Sequence, residues 1–121
     1  MILGIGVDLV DLARFDEHIT DNPRLAERLF HEVEQGYAIR QLAGSFAAKE
    51  ALVKALGGPA GLSWNEIYVV RDGAGKPSIH AEGASAARLR EAGVDKLHLS
   101  ISHDGGMLIA YVIAEDGGAS A

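Results

Sequence analysis

Residues 45–57 read SFAAKEALVKALG, and their spacing decides how the rest of the chain must be arranged. At 100° per residue, Leu42, Phe46, Leu52, Val53 and Leu56 fall on one apolar arc, while Ala48, Ala51 and Ala55 form a narrow face opposite. A helix apolar on both sides is a buried helix. Glu50 and Lys54 stand four apart, side by side at the edge of the arc, and Lys49 falls inside it among the leucines. The simplest account is a Glu50–Lys54 helix pair worth about 0.3–0.5 kcal/mol, with Lys49 extending its ammonium out to water. A functional account needs a second acid that shares a cation with Glu50.

The start of the chain supplies one. Residues 2–12 alternate as a strand does, with Leu3, Ile5, Val7 and Leu9 on one face and Ile2, Gly4, Gly6, Asp8, Val10 and Leu12 on the other. Asp8 therefore lies among apolar residues and two glycines. A half-buried carboxylate needs a partner, and the glycines leave room for another backbone or a ligand to come close. Asp8 either caps a neighbouring backbone or holds a cation. The G-x-G of Gly4–Gly6 is not a dinucleotide fingerprint, because a third glycine and an immediate helix are missing. An actin-like phosphate-binding opening would need a much longer chain.

The 121 residues amount to one domain able to bury about two thirds of its unfolded surface. The absence of cysteine excludes thiol catalysis, thiolate metal sites and a disulfide scaffold, and fits a reducing compartment. The start MILGIGVDLV has no positive n-region and carries Asp8, so it is not read as a signal peptide, and no apolar run reaches the length of a membrane span. These features point to a soluble cytoplasmic protein. A net charge of −6 argues against bulk electrostatic binding to nucleic acid or membrane. Arg14, Arg24, Arg28 and Arg40 nevertheless gather in the first third, a basic patch that suits an acidic partner.

Taken in order, Asp11–Thr20 reads as a short helix, and Asp21-Asn22-Pro23 opens a second one with Leu25, Leu29, Phe30 and Val33 inward and Arg24 and Arg28 outward. Gly36 breaks the pattern, Leu42 opens the central helix, and Gly57-Gly58-Pro59 ends it. Residues 67–71 and 77–81 form a hairpin across the turn Asp72-Gly73-Ala74-Gly75. A helix over Ala84–Ala92 follows, then strands over 97–102 and 107–114 joined by Asp104-Gly105-Gly106. The expected fold is α+β: one domain, residues 1–115, with an antiparallel sheet packed on one long buried helix, and a disordered tail from 116 to 121.

Three segments together resemble a known family. GIGVDLVDLARF (4–15), FAAKEALVKALG (46–57) and HLSISHDGG (98–106), with Gly75-Lys76-Pro77 between the last two, look like the small bacterial 4'-phosphopantetheinyl transferases of the holo-acyl-carrier-protein synthase type. The resemblance covers nearly the whole chain, in order and at compatible spacing. It implies a magnesium-dependent reaction in which a serine of an apo acyl carrier protein attacks coenzyme A, accepts phosphopantetheine and releases adenosine 3',5'-bisphosphate. It makes Asp8 and Glu50 the metal ligands, Lys54 a contact to phosphate, and Lys49 a weaker one. Gly75, Lys76, Pro77 and His103 would line the coenzyme. Arg14, Arg24 and Arg28, with Phe15 as apolar anchor, would meet the acidic carrier, and the assembly would be a homotrimer with active sites at subunit boundaries.

The residue types suit that chemistry. Magnesium takes oxygen ligands, commonly one or two carboxylates with phosphate and water completing the shell. Phosphoryl transfer depends on positioning and on neutralising charge, which a lysine one turn beyond Glu50 can supply. The serine proton has three candidate acceptors: water on the metal, Glu50, or the His103-Asp104 pair, with the first two favoured. His98, alternating with Leu97 and Leu99, reads as structural.

One departure stands out. Relatives of this type carry an arginine directly before Phe46, expected to hold a coenzyme phosphate, where this chain has Ser45; either Arg40 or Lys49 compensates, or coenzyme A binds less tightly. Two rival functions remain open at this level. A non-catalytic coenzyme A or nucleotide-binding module would not need both carboxylates. A structural trimer would explain Glu50 with Lys54 and leave Asp8, Lys76 and His103 unrelated.

Overall fold

The computed structural model describes residues 1–118. The elements are β1 (Ile2–Asp11), α1 (Leu12–Asp21), α2 (Pro23–Leu29), α3 (Ile39–Ala55), β2 (Ile67–Arg71), β3 (Pro77–Ala81), α4 (Gly83–Glu91), β4 (Lys96–Asp104) and β5 (Met107–Glu115), with single 3-10 turns at Glu32–Glu34 and Trp64–Glu66. The strands form two antiparallel sheets, β1-β5-β4 and β2-β3. The expected α+β class holds, with the sheet divided in two.

Helix α3 lies on the three-stranded sheet by its small residues. Ala43, Ala47, Ala48, Ala51 and Leu52 are fully buried, and a methyl group added at Gly4 or Gly6 would fall 1.9 Å from the Ala55 carbonyl oxygen or 1.7 Å from that of Ala51. The glycines of β1 thus admit another backbone, that of α3. The larger residues Leu42, Phe46 and Leu56 pack at the margins of the core and are only partly buried. Alanine and glycine rather than leucine make the helix–sheet seam, because only they let two backbones approach this closely.

The helix opens three residues before Leu42, where Gln41 turns back to accept a hydrogen bond from the Ala38 amide at 3.2 Å. It closes with Gly57 at φ +83° and a bond from the Gly58 amide to the Val53 carbonyl, a left-handed cap that only glycine makes without strain. Helix α1 is capped by Asp11, whose carboxylate accepts from the Arg14 amide at 3.0 Å.

Register fixes which residues share a face. Asp8 pairs with Ala110 and Ala110 with Ile101, while Val10 pairs with Leu108 and Leu108 with His103. Directly paired residues project to the same side, so Asp8 and His103 both lie on the α3 face. The opposite face of β1 carries Leu3, Ile5, Val7 and Leu9, all exposed, beside exposed Tyr111 on β5.

Two expectations about burial and order are corrected. Val33 is 46 % exposed rather than inward, because α2 ends at Leu29 and the 3-10 turn directs Glu34 inward instead. The tail is held at its start: the Asp116 carboxylate accepts from the N-terminal ammonium at 2.9 Å, and its amide bonds to the Met1 carbonyl. The rest of the segment expected to be disordered, residues 119–121, lies outside the described residues.

Candidate active site

Strand β1 and helix α3 are pressed together by the glycine–alanine seam, and this brings Asp8 and Glu50 to one cleft. Lys54 does not pair with Glu50 as the simple helix account requires. Its ammonium crosses to β1, donating to the Val7 carbonyl at 2.9 Å and the Asp8 carboxylate at 3.3 Å. Burial, and next the charge of Asp8, push the Glu50 carboxyl above its ordinary value, while the Trp64 indole N–H and Lys54 act in the opposite sense. A desolvated glutamate beside a second carboxylate is a place that a cation would relieve.

Among the described residues no cluster of three or more histidine or carboxylate side chains forms elsewhere or here. Magnesium takes few protein ligands and leaves positions for phosphate and water. Asp8 and Glu50 would be the two residues to hold it.

The cleft has a volume of about 430 Å³ and is walled by Val10, Arg14, Phe15, Ile19, Leu29 and Phe46 besides the two acids. Arg14 is exposed at its rim and Arg24 and Arg28 are exposed on α2. Phe15 is not a surface anchor. It is 7 % exposed and packs edge-on against Phe30 at 6.3 Å and tilted against Phe46 at 5.5 Å, because α1 turns its one aromatic into the core.

Lys49 is likewise corrected: it neither reaches water nor a phosphate site. Its side chain and that of Glu34 are both fully buried, and they form an ion pair. The ammonium also donates to the Leu29 and Trp64 carbonyls, at 2.8 and 3.1 Å, and lies 5.2 Å from the Phe30 ring centroid. Glu34 accepts in turn from the amides of His31 and Val69, each at 3.0 Å. Burial lowers the Lys49 ammonium to about 8 against the pull of Glu34. A lysine inside an apolar arc demands a buried acid, and that was the sequence signal for Glu34.

The coenzyme residues of the sequence reading sit at a second cleft. Gly75, Pro77 and His103 line a hollow of about 210 Å³ together with Arg40, Gln41 and Arg71. Neither arginine has an ion-pair partner among the described residues, and no carboxylate lines the hollow, so it is suited to an anion. Arg71 was not singled out in the sequence, where a charge at a strand end before a turn reads as solvated. Lys76 is exposed on the turn outside this hollow, its backbone amide bonded to the Asp72 carboxylate at 2.9 Å. Ser45 is fully buried, its hydroxyl without a hydrogen-bond partner, and it does not line the hollow. Of the two residues expected to compensate for the missing arginine, Lys49 is paired with Glu34 and Arg40 lines the hollow. His98 is exposed and bonds Glu115 at 3.0 Å.

Arg40 and Glu50 are ten residues apart on α3, about 15 Å along its axis. One chain thus presents two separate clefts, an acidic one beside Arg14 and a basic one beside His103.

Residues 4–112 match the model of the 4'-phosphopantetheinyl transferase superfamily, and the chain belongs to that family. Within it the chain is similar to the holo-[acyl-carrier-protein] synthase of Clavibacter sepedonicus, 51 % identical over 98 % of this chain and 100 % of the relative. The crystal structure of holo-[acyl-carrier-protein] synthase from Neisseria meningitidis superposes with a TM-score of 0.87 at 33 % identity, covering 96 % of this chain and all of that one. The Chronobacterium ammoniagenes synthase in complex with coenzyme A gives 0.83 at 32 % identity, covering 95 % and 98 %.

Proposed function

We propose that this chain transfers 4'-phosphopantetheine from coenzyme A to a serine of an apo acyl carrier protein, with magnesium held by Asp8 and Glu50. The observation that carries the reading is the pairing of those two carboxylates in one cleft with Lys54 bridging β1 and α3. Magnesium bound there would neutralise charge on the phosphate oxygens of coenzyme A.

The residues divide the remaining work. Lys54, already bonded to Asp8 and more than half exposed, presents its ammonium to a phosphate oxygen. The serine oxygen forms a bond to the phosphorus nearer pantetheine as the bond to the leaving adenosine 3',5'-bisphosphate breaks. The serine proton passes to Glu50 or to a water beside it. His103 and Arg40 hold phosphate at the basic hollow rather than move that proton, and Gly75 and Pro77 form its floor. Arg14, Arg24 and Arg28 meet the acidic surface of the carrier around its serine.

The chain works as a homotrimer in the cytoplasm. The exposed outer face of β1, with Ile5 at 59 % and Leu9 at 61 %, supports self-association. Leu9→Asp would then give a monomer by sedimentation with little transfer activity.

Melting curves test the binding half of the reading. Magnesium and coenzyme A together should raise the melting temperature of the native protein and leave that of Asp8→Asn unchanged with magnesium. An equal rise in both would remove Asp8 from the metal site.

A further inference from the structure

Five segments converge on the buried Glu34–Lys49 pair: the end of α2 through the Leu29 carbonyl, the 3-10 turn through Glu34 and the His31 amide, α3 through Lys49, the second 3-10 turn through the Trp64 carbonyl, and β2 through the Val69 amide. Both charges are fully out of water. A buried ion pair is poor value for stability alone, since a well-packed apolar pair of similar volume does as well or better. Its benefit has to be sought in what it holds in place.

What it holds is one wall of the acidic cleft. Leu29 lines that cleft beside Glu50 and also lines the neighbouring hollow with Trp64. The Trp64 indole N–H is buried without a hydrogen-bond partner, and it is near enough to the Glu50 carboxyl to favour its ionised form. Lys49 and Glu50 are consecutive on α3, so the lysine ties Leu29 and Trp64 to the helix at the level of the acid.

We propose that Lys49 and Glu34 are positioning residues which clamp Leu29 and Trp64 against Glu50 and thereby fix how the Glu50 carboxylate is turned toward a divalent cation. The clamp rests on the reading of Asp8 and Glu50 as metal ligands and assigns no chemistry to Lys49 itself. Trp64, the single tryptophan of the chain, is the piece that transmits it.

The test separates positioning from bulk stability. Lys49→Met with Glu34→Leu replaces the pair by apolar volume, and Trp64→Phe removes the indole N–H with its five-membered ring while keeping a six-membered one. Manganese serves as the probe ion, its affinity read by electron paramagnetic resonance with coenzyme A present. The double variant leaves the Leu29 and Trp64 carbonyls and the His31 and Val69 amides without these partners and should melt lower, whereas Trp64→Phe should melt within a few degrees of native; the clamp predicts that both bind manganese at least tenfold more weakly. It also predicts transfer with kcat lowered at least tenfold and KM for coenzyme A within twofold. A double variant that folds and matches native manganese affinity and kcat would overturn the proposal, as would native affinity in Trp64→Phe if the double variant fails to fold. If the native protein takes up no manganese, the metal reading fails and the clamp falls with it. Native binding with unchanged variants overturns the clamp alone.

Discussion

Gly6→Ala is the perturbation that most directly tests how the fold makes the site. A Cβ at this position would stand 1.7 Å from the Ala51 carbonyl oxygen, 2.7 Å from its carbon and 2.8 Å from the Ala55 nitrogen. All three are backbone atoms of α3 and no rotamer change can move them. To restore even a 3.0 Å contact, β1 and α3 must part by about 1.3 Å. Overpacking of a filled core costs about 1–3 kcal/mol, and a clash against backbone belongs at the top of that range. A gap of 0.5–1 Å forfeits roughly a quarter to a half of the dispersion well for each contact along the seam, which adds to the loss. Asp8 lies two residues on and faces the same helix, so the separation carries it away from Glu50. A 1 Å misplacement costs about 10²-fold in rate. Urea unfolding followed by Trp64 emission should show a loss of about 3 kcal/mol, and transfer at saturating coenzyme A should fall about 100-fold. Gly73→Ala, with nothing within 4 Å of the added methyl, should stay within about 0.5 kcal/mol of native. A Gly6→Ala protein that loses under about 1 kcal/mol and keeps its rate would refute the seam as the device that sets the Asp8–Glu50 geometry.

Other outcomes follow from the same geometry. Asp8→Asn and Glu50→Gln should each abolish most transfer while the circular dichroism spectrum stays native; near-normal rates at limiting magnesium would remove the metal assignment. Glu50 has a folded-state pKa above its unfolded value, so the folded chain binds the extra proton and stability declines as pH rises from the ordinary carboxylate value through the raised one. Metal-free Glu50→Gln should therefore melt higher than native at pH 7, with the difference gone below about pH 4. Arg14→Glu should raise KM for the carrier protein and leave KM for coenzyme A unchanged, whereas equal effects on both would sink its docking role. Ser45→Ala deletes a buried hydroxyl without a partner and should hold or raise the melting temperature, with unchanged KM for coenzyme A.

The buried helix and both acids were legible in the sequence because periodicity is a strong signal. Asp8 among glycines on one strand face and Glu50 at the edge of a helical arc are local patterns, and so are the β2-β3 hairpin and the strand pair that ends the chain. Which face of α3 meets the sheet was not local. The leucine arc drew the eye, while the closest packing is made by Ala51 and Ala55 against Gly4 and Gly6, a fit that depends on two segments together. Lys49 shows the same limit. Its place in the apolar arc was visible, but Glu34 stands in a weakly patterned loop and only the tertiary fold brings the two together. Arg71 and Trp64 were missed for a like reason, each being ordinary in its own segment and placed at a site by contacts from elsewhere.

The most direct test is the mass of an apo acyl carrier protein incubated with this protein, coenzyme A and magnesium, beside a chelated control and a Glu50→Gln control. The account predicts a gain of one phosphopantetheine in the complete reaction and none in either control. A carrier that stays unmodified, with several carriers tried and coenzyme A binding confirmed, would contradict it and leave a binding module without catalysis.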